Sequence, residues 1–573
     1  SHLRCAAMQL RIDRVDVRAS HPEDLHVDWS LEGDVVRWAL ANGPVESVAV
    51  DAVALVARLE GAVEPLQVLC HGYQSWSRTG VSTFRVDQDP SRAEGVPELV
   101  LGMYHADPEV AEPDELRSEL VTALRDATGA VLVLGFLGGA DHDGTFRVRP
   151  ARDGSDAIEV WVEAHLGGAL LPVGDQRPLH EVWIGEGEHD PSGLLETWAG
   201  RLGQAAGARV SAPYQVGWCS WYHYFHDISE GALRANLAAA SSWPFEVFQL
   251  DDGYQRAIGD WLRTNDKFGT ELDGLAAAIA DEGCVPGIWL APFLAGPESD
   301  VARDHPDWFA HHGSNRLVGM LNAGWGGWVH VLDTTHPEVL EHLEAVAAEL
   351  VGLGFPYLKL DFTYAPSLPG TYRDPTLTPA QRVRAGFEAV RRGAGDDAFL
   401  LGCGAPLGPT VGLVDGMRIG PDVAPRWHPD TSGWIPPGHE AVLPATVNAW
   451  RNTLGRSFMH RRLWLNDPDC LMLRTDHTDL DAEQVRAWAL GVAASGGMAL
   501  VSDDLSLLDE AARSLLDEVL TVGRAVDTEA MVDGPPRCED LLDADPPTRL
   551  LTAHHELVGD PETGSAHLQG RLT

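Results

Sequence analysis

Acidic and aromatic side chains recur just after short apolar runs of the chain. One run leads into Gly217-Trp218-Cys219-Ser220-Trp221-Tyr222 and the next into Leu250-Asp251-Asp252-Gly253-Tyr254-Gln255. Others lead into Ile288-Trp289, Lys359-Leu360-Asp361-Phe362, Leu401-Gly402-Cys403 and Met417-Arg418-Ile419-Gly420-Pro421-Asp422. This mixture suits a sugar. Aromatic faces pack on the apolar C–H face of a pyranose, and carboxylates accept its hydroxyl protons. Cleaving a glycosidic bond takes two further carboxyl groups, one to attack or to activate water and one to protonate the leaving oxygen. Asp361 and Asp422 are the candidate pair. Lys359 precedes Asp361 by two residues, so on a strand both point to one side, and a cation there favours an ionised nucleophile. Asp422 stands on a Gly-Pro turn beside apolar Val423 and Ala424, surroundings that suit a general acid. Of the 42 basic residues only Lys267 and Lys359 are lysine, which marks both positions; Lys267 reads equally well as a loop brace.

These residues need a frame that brings strand ends to one rim. Eight apolar runs predict strands over Tyr214–Cys219, Glu246–Leu250, Val285–Ala291, Pro356–Asp361, Ala398–Cys403, Gly416–Gly420, Leu463–Asn466 and Met498–Ser502. Helix-period segments at Glu230–Ser241, Gly274–Glu282, Pro337–Gly352, Pro379–Arg392, Ala441–Leu454 and Asp481–Ala494 separate them. That alternation predicts a (β/α)8 TIM barrel over 191–505, whose catalytic groups belong at the C-terminal strand ends. Residues 1–190 alternate in short runs between turn clusters and predict an antiparallel β-sandwich; 506–573 predict a small C-terminal β-domain opened by a helical segment. The stretches Gly296–Thr335 and Pro421–Glu440 exceed ordinary loops, and loops of that size tend to carry function. Trp221 and Trp243 read as core, and Asp467 and Asp469 as supporting or capping residues.

Taken together, the strand-end motifs resemble the α-galactosidases of glycoside hydrolase family 36, the melibiase group. His71-Gly72-Tyr73-Gln74-Ser75-Trp76-Ser77 is similar to that family's N-terminal motif, and the resemblance runs from about residue 70 to 500. It implies a retaining double displacement with Asp361 as nucleophile and Asp422 as acid/base. It further implies that Asp251 and Asp252 hold the 4-OH and 6-OH of galactose, with Lys359 near O3 and O4 and Arg418 and Cys403 near O2. Trp218 and Trp289 would be pocket walls and Trp76 the lid. The fifth-strand motif, Cys403-Gly404-Ala405-Pro406, departs from the Cys-x-Ser-Gly-Gly of many members, which leaves galactose and N-acetylgalactosamine both open at C2.

Composition narrows the rest. The net charge of −43 repels phosphate backbones and anionic lipid, so neither nucleic acid nor a membrane is an expected partner. Seven widely spaced cysteines without a Cys-x-x-Cys argue against a disulfide framework and against zinc, and fit a cytoplasmic protein with reduced thiols. No metal-ligand spacing stands out among the histidines, which read as solvated. Ser1–Leu10 has no apolar h-region. The expectation is an α-galactosidase without cofactor or metal, acting on a small carbohydrate. An α-N-acetylgalactosaminidase, a raffinose-synthase-like galactosyl transferase and a catalytically silent galactose-binding protein are the alternatives.

Overall fold

The structure is a computed structural model and describes residues 8–85, 98–108, 112, 114–433, 435 and 439–571. Cys5 and part of the Pro421–Glu440 stretch lie outside those residues. The chain first builds two antiparallel sheets. One orders its strands Gln9–Ala19, Val48–Glu60, Ile158–Leu171, Asp143–Pro150 and Leu116–Glu119. The other orders Leu25–Glu32, Val35–Asn42, Gln176–Glu188, Ala130–Phe136, Val121–Arg125, Leu66–Cys70 and Gly80–Phe84. Period-two patterning buries one face: in Val35–Asn42 the buried residues are Val36, Trp38, Leu40 and Asn42. One element among these strands has no counterpart in the strand pattern, the helix Glu98–Tyr104. Seven residues make too few turns for a 3.6-residue period to show.

The helix Pro191–Ala206 leads out of the sandwich. Asp190 caps it by accepting from the Gly193 N–H at 2.8 Å, and proline fills its first position. Eight parallel strands follow: β1 (Val216–Cys219), β2 (Val247–Leu250), β3 (Val285–Leu290), β4 (Tyr357–Leu360), β5 (Phe399–Gly402), β6 (Gly416–Arg418), β7 (Leu465–Asp467) and β8 (Ala499–Val501). Each falls on a predicted run. Neighbours pair in sequence order, and β1 also pairs β8. Between β7 and β8 the Met498 N–H donates to the Asn466 carbonyl at 2.9 Å, which brings the two ends of the sheet together as a barrel. The strands are almost wholly buried, as parallel strands covered by helices must be.

The predicted helix from Ala441 begins instead at Thr446. Pro444 disfavours helical backbone at Leu443, so the preceding residues form only a short 3-10 turn. The long stretch after β3 folds as a three-stranded antiparallel sheet, Leu294–Ala295, Gly327–Val331 and Val318–Asn322, with a hairpin turn at Ala323–Trp325. After β8 the helix Glu510–Val532 packs on the barrel helix Ala482–Ser495, and a four-stranded sheet over residues 537–570 ends the described chain. No helix among the described residues is long and apolar enough to cross a membrane.

Candidate active site

The C-terminal ends of the barrel strands open into one cavity of about 850 Å³, its mouth included. Asp251 and Asp252 from β2, Trp289 from β3, Lys359 and Asp361 from β4, and Asp422 after β6 all line it, as does Trp76 from the sandwich. Seven of the ten predicted site residues thus meet in one place. Trp218, Cys403 and Arg418 do not line it.

Asp361 is held from two sides. The Trp289 indole donates to its Oδ2 at 2.9 Å and the Phe362 N–H to its Oδ1 at 2.8 Å. Burial pushes its carboxyl above the usual range, against the pull of Lys359 and Trp289. Lys359 favours the ionised form, as expected, but burial outweighs it. Its ammonium sits 2.8 Å from Asp251 Oδ2. The Gln249 amide donates to the same oxygen at 2.6 Å, and the Asp252 N–H donates to Oδ1 at 2.9 Å. Asp251 is thereby a fixed acceptor at the base of the cavity. Asp252 accepts from the Gln255 amide at 2.6 Å and from the Trp325 indole at 2.7 Å.

Asp422 differs from its expected surroundings. About a third of its side chain is exposed, and the Arg418 guanidinium donates to it at 2.8 Å. Arg418 itself is buried, and also contacts Asp469 and the Tyr222 hydroxyl. Asp469 in turn accepts from the Val423 N–H at 2.8 Å and from Tyr222. Burial pushes the Asp469 carboxyl up to about 7, although Arg418 opposes the shift. Arg418 thus acts on the cavity through Asp422. Cys403 stands behind Asp361, within reach of its carboxylate. Trp218 is a correction of a different kind. Strand alternation turns Cys219 toward Asp251, so Trp218 faces the other way. It stacks on Phe248 at 4.3 Å and donates to the Asp503 carbonyl at 2.8 Å.

Residues beyond the sequence reading complete the walls. Trp221, read as core, lines the cavity with Tyr222, whereas Trp243 is buried against Phe245 as expected. Met320, Asn322 and Trp325 come from the sheet inserted after β3, and Met103 and Tyr104 from the short helix of the N-terminal region. Burial and the charge of Asp422 push the Tyr104 hydroxyl up to about 12. The only signal for the insert was its length, and nothing marked the helix.

The sandwich reaches the cavity because Arg456 fastens its loop. The guanidinium, fully buried, donates to the carbonyls of Gly72, Gln74, Ser75 and Ser77 at 2.8–3.2 Å and to Ile419 of the barrel at 2.8 Å. Those carbonyls flank Trp76. Gly404 completes the seat: at φ +52° it lies so close that a Cβ would stand 2.8 Å from the Trp76 ring. Lys267 is a brace, donating to the His226 carbonyl.

The reading of the histidines as solvated is corrected for His71, His142, His165, His336 and His460, which are buried. One group among the described residues has the spacing to hold a metal: Asp107, Glu163 and His165, in and beside the first sheet. Arg147 and Arg18 already pair with both carboxylates, so the group reads as a buried ion network.

The Melibiase family matches residues 213–370. Alpha-galactosidase AgaA of Geobacillus stearothermophilus is 26% identical over 211 residues, 34% of this chain and 27% of that protein. Alpha-galactosidase Mel36A of Lactobacillus acidophilus is 28% identical over 150 residues, 25% of this chain and 20% of that protein. The matched stretch thus spans about a quarter of these curated relatives. A solved structure of TtGalA, an alpha-galactosidase from Thermus thermophilus in complex with stachyose, superimposes with a TM-score of 0.69 at 28% identity, covering 91% of this chain and 99% of that one. The melibiase match covers β1 to β4 of the barrel, and the chain is similar to α-galactosidases in part of its sequence and to their solved structures in fold.

Proposed function

We propose that the chain is a retaining α-galactosidase that removes a terminal α-linked galactose. The observation that carries this reading is that Asp361 and Asp422, from the ends of β4 and β6, face one sugar-sized cavity. The Asp361 carboxylate attacks the anomeric carbon and forms an ester bond to it. Asp422 gives its proton to the glycosidic oxygen, and the alcohol leaves. Water then enters. Asp422, now a carboxylate, takes its proton, and the oxygen attacks the anomeric carbon and frees Asp361. The fixed acceptors Asp251 and Asp252 suit the sugar hydroxyls, and Trp76, Trp289 and Trp325 supply the apolar faces. The ligand named for the TtGalA structure, stachyose, supports the substrate class. The test is hydrolysis of an aryl α-galactoside followed by NMR of the first-formed sugar, with Asp361→Ala as blank. α-Galactose appearing first is the expected result. β-Galactose first would overturn retention, and release only from the matching N-acetylgalactosaminide would move the substrate.

A further inference from the structure

Asp252 is gripped by three loops. Its own loop supplies Gln255, whose amide donates to Oδ1 at 2.6 Å. The loop after β1 supplies His226, whose Nδ1 lies 3.3 Å from Oδ2. The insert after β3 supplies Trp325, whose indole N–H donates to Oδ2 at 2.7 Å. These loops also lock onto one another. Gly324 lets the hairpin tip lie against His226, since a Cβ there would overlap the imidazole ring. Gly253, at φ +118°, packs as closely, since a Cβ there would stand 3.1 Å from the His226 backbone. The Trp325 ring then fills the space between Trp289, at 6.0 Å, and Phe362, at 4.8 Å.

A carboxylate has about four lone-pair sites. Gln255 takes one on Oδ1, while Trp325 and the nearby His226 occupy Oδ2, so a pair on Oδ1 is left to meet a hydroxyl in the cavity. An acceptor fixed in this way discriminates strongly, because an analogue without the hydroxyl leaves a buried carboxylate unpaired. Resting on the galactosidase reading, we infer that Trp325 is a positioning residue that sets which sugar hydroxyl Asp252 reads, so that the hairpin over residues 318–331 determines specificity. It touches the recognised hydroxyl only through Asp252.

The test compares wild type with Trp325→Phe, which keeps an aromatic ring and removes the N–H. Substrates are the aryl α-galactoside and its four monodeoxy analogues. One analogue should be penalised most by wild type. In Trp325→Phe, kcat/KM on the parent should fall about 10- to 30-fold, while that analogue changes by less than about threefold, so that the discrimination collapses. Gly324→Ala should give the same pattern by lifting the tip from His226. Equal losses on every substrate, or no loss on the parent, would overturn the inference. If wild type hydrolyses no galactoside, the galactosidase reading fails. The same panel of free sugars, followed by titration calorimetry, then decides the role of Trp325: a selective loss of affinity upholds it, and uniform or absent binding overturns it.

Discussion

Trp289 donates its indole N–H to Asp361 across adjacent parallel strands. The register that sets Trp289 opposite Lys359 also carries its side chain to the carboxylate that follows β4. A hydrogen bond to a charged group is worth about 1.5–3 kcal/mol, so Trp289→Phe should lower kcat about 10- to 100-fold with the fold intact. The lost donor also lowered the Asp361 pKa. The acid limb of kcat/KM should therefore move to higher pH in the variant. An unshifted limb would show that this bond does not govern ionisation of Asp361.

Asp422 meets solvent on one side and Arg418 on the other. Asp422→Ala should slow galactosides with poor leaving groups at least 100-fold more than activated aryl ones, because only the former need a proton on the departing oxygen. Rates on a leaving-group series check this. A uniform loss across the series would take the acid role away from Asp422.

Lys359 and Asp251 form a buried ion pair in the cavity floor. Removing one partner of such a pair typically costs about 3–5 kcal/mol, because the other charge is stranded. Lys359→Met should lose stability of that order in urea unfolding. Adding Asp251→Asn should recover part of the stability but none of the activity.

Two carboxyls of the sandwich predict a pH dependence. Burial pushes Glu119 and Asp143 each up to about 7, from ordinary values of 4.5 and 3.8. Both therefore bind protons more tightly in the folded chain. Their contribution to stability is complete below about pH 4 and is lost as the pH rises through 7. The double variant Glu119→Gln, Asp143→Asn should flatten the fall in melting temperature between pH 5 and 8, a window where the pair otherwise costs on the order of a few kcal/mol. An unchanged slope would place the titration elsewhere.

The barrel was legible because each strand is a continuous apolar run, and the acidic and aromatic residues that follow those runs are the ones that line the cavity. Trp218 misled because a four-residue strand offers two faces and the sequence does not say which one Cys219 takes. Arg418 and Cys403 were expected near O2, yet they stand outside the cavity lining, against Asp422 and Asp361. Trp325 and Tyr104 escaped notice for a physical reason. Each stands on a turn or helix shorter than a readable period, and tertiary packing alone brings it to the cavity. The buried ion pairs and the shifts they cause depend on distances that no linear pattern encodes.

The grip of Arg456 on the Gly72–Ser77 loop has a consequence for how such a protein can be recombined. The guanidinium is satisfied by carbonyls of the sandwich, and the lid it holds in place belongs to the sandwich too. Cutting the chain near residue 190 would strand a charge in one piece and a tryptophan in the other. A chimera that exchanges only the barrel should then inherit the carboxylates of one parent without a matching roof from the other.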